Sequence, residues 1–149
     1  MIVIPMAGLS SRFFKAGYQV PKYQLLLDDL TIFYHSVNSF KNYFDSEVFL
    51  FILRDVYNSK EFVKSQIELL GIKSYEIVCL PQETKGQAET VFLGLEQSST
   101  SFRESMYIFN IDTIRKGFQK PIWADNCDGY LEVFKGDGSH WSFVLPSET

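Results

Sequence analysis

Arg12 and Lys22 lie in one long loop that begins with a run of small side chains, Ala7, Gly8, Ser10 and Ser11, with Leu9 among them. Small residues let a backbone approach a ligand closely and turn its N–H groups toward it. A guanidinium adds a planar fork for phosphate oxygens, and an ammonium adds a point charge of the same sign. Together they read as a phosphate cradle. Asp112 offers different chemistry. A lone carboxylate at the end of an apolar stretch suits magnesium, which takes one or two carboxylates and completes its shell with phosphate oxygens. A third group is Pro81-Gln82-Glu83-Thr84-Lys85-Gly86-Gln87. Gln82 or Gln87 could read a base edge through its paired donor and acceptor. Gly86 would admit a base against the backbone, and a helix starting there offers N–H groups to an anion. For Gln82 a plain strand–turn–helix link has comparable weight, and Asp112 taken alone could equally start a turn.

These residues need elements to hold them. Residues 2–6 read as a strand buried on both faces, and residues 7–23 as a loop long enough to imply function. Residues 24–27 form a short strand, Asp28-Asp29 a turn, and Thr31 opens a helix to about Tyr43. The apolar run 47–53 suits a central parallel strand. Asn58 with Glu61 resembles a capping box for the next helix, which Gly71 ends. Residues 75–80 are a strand, Gly86 leads into a helix, and residues 105–110 are a strand ending near Asp112. Residues 129–134 and 141–145, around Gly136-Asp137-Gly138, read as a hairpin. The expected fold is a Rossmann-like three-layer α/β domain over residues 1–149, with a mainly parallel central sheet and a C-terminal β-hairpin. In such sheets ligands sit beyond the carboxyl ends of the strands, near a topological switch point. The loop after the first strand, residues 81–86 and Asp112 should therefore share one edge.

Composition narrows the classes. The chain has 149 residues, 46% hydrophobic and 16% aromatic, enough for one folded domain with a sizeable core. The net charge of -4 and the lack of a Lys/Arg cluster argue against nucleic acid. Cys79 and Cys127 fit no C-x-x-C pattern and read as reduced thiols. No secretory signal precedes the first strand and no apolar run is long enough to span a bilayer, so a cytoplasmic protein is the expectation. His35 and His140 read as structural or solvated.

The ordered set Ala7-Gly8, Ser11-Arg12 and Pro21-Lys22 resembles the signature of the sugar nucleotidyltransferases, the nucleoside-diphosphate-sugar pyrophosphorylase superfamily. Gly86 opening a helix and Asn110-Ile111-Asp112 are similar to further segments of that family. One departure is that the family's glutamine usually stands where this chain has Pro81, one place before Gln82. The resemblance implies transfer of a nucleoside monophosphate from a nucleoside triphosphate to a sugar 1-phosphate or similar phosphate monoester, releasing pyrophosphate. It implies Arg12 and Lys22 as catalytic residues, nucleotide binding by Ala7, Gly8, Leu9, Ser10, Ser11, Gln82 and Gly86, and Mg2+ on Asp112. The partners implied are the triphosphate and a phosphorylated small-molecule acceptor, with a second copy of the chain as a possible one. Family members run on past the point where this chain stops, which implies an acceptor pocket and a second metal carboxylate beyond Thr149. A nucleotide-binding module without turnover, or a glycosyltransferase using a nucleotide sugar, are the alternatives.

Overall fold

The computed structural model describes residues 1–100, 103–138 and 143–145. The chain divides into two compact units, Met1–Gln119 and Lys120–Thr149.

The first unit is built on a four-stranded sheet of β1 (Ile2–Pro5), β4 (Val48–Leu53), β5 (Ser74–Cys79) and β6 (Tyr107–Ile108), in the order β5-β4-β1-β6. Every pairing is parallel, with Ile2 opposite both Phe49 and Tyr107. Parallel strands need crossovers, and the helices α2 (Ile32–Val37), α3 (Ser59–Leu70) and α4 (Gln87–Gln97) lie in those connections. The alternation of side chains sorts the core into two layers. Ile2, Ile4, Phe49, Phe51 and Leu53 face Phe33, Val37, Phe40, Val63 and Ile67. Val3, Leu50 and Ile52 face the other way, against Val91 and Leu95 of α4. The expected three layers around a parallel sheet are thus present. Each of these fully buried side chains contributes roughly 1.5–3 kcal/mol. The phenylalanine excess is spent in the first layer, where Phe33 meets Phe51 at 5.6 Å and Phe40 meets Phe118 at 4.8 Å.

The smaller elements follow local chemistry. β2 (Leu26–Leu27) and β3 (Leu30–Thr31) form a tight antiparallel hairpin. Asp28 and Asp29, both with positive φ, make its turn, as a two-residue hairpin loop requires. Thr31 caps α2 by accepting from the Tyr34 N–H at 3.0 Å. The expected helix to Tyr43 continues after Val37 as a 3-10 segment, Asn38–Tyr43. Gly71 closes α3 in the left-handed region. The capping box at Asn58 does not form. Asn58 has φ 56, away from the extended geometry that aims a cap side chain at the helix, and it makes no capping bond. Asp55 Oδ1 takes that place, accepting from the Lys60 N–H at 3.1 Å.

In the second unit, Ala124–Asn126 form a 3-10 turn and Trp123 meets Tyr130 edge-on at 5.1 Å. The expected C-terminal hairpin is not seen in the described residues. Residues 129–138 and 143–145 carry no strand, and Trp141 lies outside the described residues. Leu131, Val133 and Phe134 are all exposed, and an isolated two-stranded ribbon with no covered apolar face is marginal in water.

Candidate active site

Because the strands are parallel, the segments after β1, β4, β5 and β6 leave the sheet at one edge. β1 sits between β4 and β6, so the strand order reverses there, and that is where sheets of this kind receive ligands.

The loop after β1 is held from its base. The Met6 N–H donates to the Ile52 carbonyl at 2.8 Å, extending the ladder by one residue. Ala7 is buried, whereas Gly8 and Leu9 are exposed. Ser10 turns the chain with φ 52, and its carbonyl accepts from Phe13 and Phe14 N–H groups, opening the short helix α1 (Ser11–Lys15). Ser10 Oγ accepts from the Lys22 N–H at 3.2 Å, which ties the two ends of the long loop together. Apart from its chain neighbours, a Cβ added at Gly8 or at Gly86 would meet nothing within 4 Å, so packing does not require glycine at either place.

Lys22 Nζ and Asp112 Oδ2 lie 2.6 Å apart, with side-chain exposures of 29% and 48%. Asp112 rides on a well-tied turn. Ile111 beside it is buried. The Asn110 carbonyl accepts from Ser36 Oγ at 3.2 Å, and Asn110 Oδ1 accepts from Gln87 Nε2 at 2.5 Å. Arg12 is exposed on α1, and its guanidinium makes no hydrogen bond or ion pair among the described residues.

A cleft of about 460 Å³ opens between the β1 loop and the segment after β4. Ala7, Gly8, Leu9 and Ser11 line it, together with Arg54 and Glu83. Phe14 stacks on Tyr57 at 4.9 Å, and both rings also line the cleft. Arg54 Nη1 and Glu83 Oε1 are 3.5 Å apart. Arg12, Lys22, Gln82, Gly86 and Asp112 share the sheet edge but are not among the cleft's lining residues. Gln82 is exposed, and it is Gln87 that reaches the Asn110 turn. Gly86 starts α4, where its carbonyl accepts from both the N–H and the Oγ1 of Thr90 at 3.0 Å.

The sequence pointed to no site role for Arg54 or Tyr57, and it named Glu83 and Asn110 only as members of the segments around Gln82 and Asp112. Arg54 had a signal: it directly follows the apolar run of β4, as a strand-end charge at the ligand edge should. Asn110 and Gln87 lie far apart in sequence, and only the fold reveals their contact.

Magnesium can be tested against these donors. Among the described residues, no group of three or more His, Cys, Asp or Glu side chains converges. A closed protein cage for a metal is therefore not formed by them. One half-exposed carboxylate at this sheet edge does suit a hard cation that draws its other ligands from phosphates and water. Asp112 fits on that basis.

The chain is similar to a solved structure, a nucleoside-diphosphate-sugar pyrophosphorylase from Vibrio cholerae RC9, at 54% sequence identity and a TM-score of 0.93. The chain is a relative of the nucleoside-diphosphate-sugar pyrophosphorylases. The resemblance drawn from the motifs is thereby borne out. The alignment covers 98% of this chain and 61% of the pyrophosphorylase, so this chain spans less than two thirds of that protein's length. No protein-family model and no curated protein matches the chain. No helix among the described residues is long and apolar enough to cross a membrane.

Proposed function

We propose that this chain carries the nucleoside-triphosphate site of a nucleotidyltransferase, which passes a nucleoside monophosphate to a sugar 1-phosphate or a similar phosphate monoester. An acceptor phosphate oxygen bonds to the α-phosphorus, the bond from that phosphorus to the bridging oxygen breaks, and pyrophosphate leaves with the electron pair. Such a displacement needs chiefly positioning and neutralisation of charge. Backbone N–H groups of Gly8 to Ser11 hold phosphate oxygens. Arg12 and Lys22 neutralise the triphosphate and the charge that develops on its leaving group. Gln82 and Gly86 border the base. Asp112 would hold magnesium, which would supply a Lewis acid to neutralise charge on the phosphates.

The observation that carries this reading is the 2.6 Å pairing of Lys22 with Asp112 beside the Gly8–Ser11 loop. It joins a phosphate-seeking cation to a metal-seeking carboxylate across 90 residues of sequence. The open space at Gly8 and Gly86 adds support, since a glycine that packing does not need is free to serve a ligand. So does the pyrophosphorylase neighbour.

The test has two stages. Calorimetric titration with ATP, GTP, CTP, UTP and dTTP, each with magnesium, should find at least one that binds. Pyrophosphate release is then followed with that triphosphate and glucose 1-phosphate or other sugar 1-phosphates. Binding with release supports transfer. Binding without release for any sugar phosphate would replace transfer with a nucleotide-binding module, and no binding by any triphosphate would overturn the reading.

A further inference from the structure

Lys22 and Asp112 are assigned above to different ligands, yet they hold each other. We propose that Lys22 is a built-in stand-in for the metal on Asp112: the incoming divalent cation displaces its ammonium, which then turns to the triphosphate, so metal and triphosphate bind as a coupled pair. The proposal rests on the reading of the site given above and adds a coupling that neither assignment contains.

The backbone supports a swing of the Lys22 side chain alone. Its N–H is fixed to Ser10 Oγ. Pro21 before it is buried. Tyr23 after it is buried too, with its hydroxyl 2.7 Å from Ser59 Oγ. The pivot is thus anchored on both sides, while the ammonium sits at the end of a flexible four-carbon stem. The turn that carries Asp112 is tied as well, because Ser36 of α2 and Gln87 of α4 both hold Asn110, two residues before it. A short carboxylate on a tied turn facing an ammonium on a long flexible stem is a pair that one stronger cation can open.

The consequences follow from charge. With neither ligand bound, the pair neutralises itself. A divalent cation arriving alone must break the pair and leave the ammonium beside it, with like charges opposed. A triphosphate arriving alone draws Lys22 away and leaves Asp112 unpaired near phosphate charge. With both present, every charge has a partner. Each ligand therefore improves the site for the other, and the coupling is reciprocal.

The probes are Mn2+ and inorganic tripolyphosphate, which need no knowledge of the base. Paramagnetic broadening of the Ile111 and Thr113 amide signals reads metal at Asp112, with and without tripolyphosphate. Relative to the wild-type chain, Lys22→Met should bind Mn2+ alone about two- to fivefold more tightly, the range expected for releasing a part-exposed ion pair. Tripolyphosphate should then improve its Mn2+ affinity by a smaller factor than in the wild type. Lys22→Arg, which keeps the charge, should stay near wild type. Unchanged or weaker Mn2+ binding in Lys22→Met, or equal tightening in both variants, overturns the proposal. Asp112→Asn separates this from the parent reading. If wild-type broadening at residues 111–113 persists in that variant, Asp112 is not the metal ligand and both fail. If it disappears while Lys22→Met changes nothing, the coupling alone fails.

Discussion

Arg12 and Lys22 share a charge and a loop, and the fold gives them different surroundings. Lys22 is committed to Asp112, whereas Arg12 is exposed on α1 and its guanidinium has no partner among the described residues. An unpaired guanidinium contributes little to stability, so Arg12→Ala should leave apo melting nearly unchanged. Triphosphate affinity should fall by about 1.5–3 kcal/mol, the worth of a hydrogen bond to a charged group. Titration calorimetry on the variant checks this, and unchanged affinity for every triphosphate would remove Arg12 from the site. Tyr23 shows the opposite logic. Burial pushes its phenol above the ordinary value of 10.0, nearby Asp55 adds to the rise, and the Ser59 hydrogen bond opposes it. The folded state therefore keeps a proton that the unfolded chain loses near pH 10.0, and its stabilising effect fades as pH rises through the folded value. Tyr23→Phe should cost about 0.5–1.5 kcal/mol near neutral pH by losing the Ser59 bond. That deficit should shrink at strongly alkaline pH, where only the wild type carries a buried ionisable group. Urea unfolding of both proteins at neutral and alkaline pH gives the answer, and a constant gap would show that Tyr23 does not titrate differently on folding.

The elements place these residues, and their legibility in sequence varied with the physics behind each. β1 and β4 were plain because strands buried on both faces must be continuous apolar runs. The Asp28-Asp29 turn was plain because few sequences allow so tight a reversal. Asn58 misled because its type suits a cap while its backbone, at φ 56, does not, and the substitute Asp55 was hidden in the preceding loop. The cleft was only partly legible. Its floor came from the β1 loop, but Arg54 and Glu83 reach it from separate strand ends, and pairing between them is a product of the sheet order. Gly94 lies within α4, and the fold gives it a specific purpose. A Cβ there would stand 2.7 Å from Ile52 Cγ2 and closer still to two other Ile52 atoms. The glycine is what lets α4 lie against β4. Gly94→Ala gains up to about 1 kcal/mol in helix propensity. Against this stands an overpacking cost of typically 1–3 kcal/mol, since Ile52 is fully buried and cannot move aside freely. Net destabilisation is expected in chemical denaturation, partly relieved by adding Ile52→Val. A more stable Gly94→Ala protein would mean that α4 shifts at no cost.

At the scale of the whole molecule, every residue assigned to the site lies between Ala7 and Asp112, inside the unit Met1–Gln119. The unit Lys120–Thr149 supplies none of them. It does carry a dense set of exposed apolar side chains, with Ile122 at 96%, Leu131 at 78% and Leu145 at 90% exposure. Composition alone did not forecast this division, because residues 120–149 contain the same apolar types as the core, and those described differ from it only in their exposure. Large exposed apolar patches favour association. A chain ending at Gln119 should therefore bind triphosphate with the affinity of the full chain, since its cradle, its Lys22–Asp112 pair and its Arg54–Glu83 cleft are intact. It should also self-associate less as concentration rises. Calorimetry measures the first outcome, sedimentation velocity the second, and far-UV circular dichroism shows whether the shortened chain has folded. A folded variant that no longer binds triphosphate would bring residues from 120–149 into the nucleotide site. A variant that binds but associates as strongly as the full chain would move the sticky surface to the first unit, where Leu26, Leu69 and Phe92 are among the exposed apolar side chains.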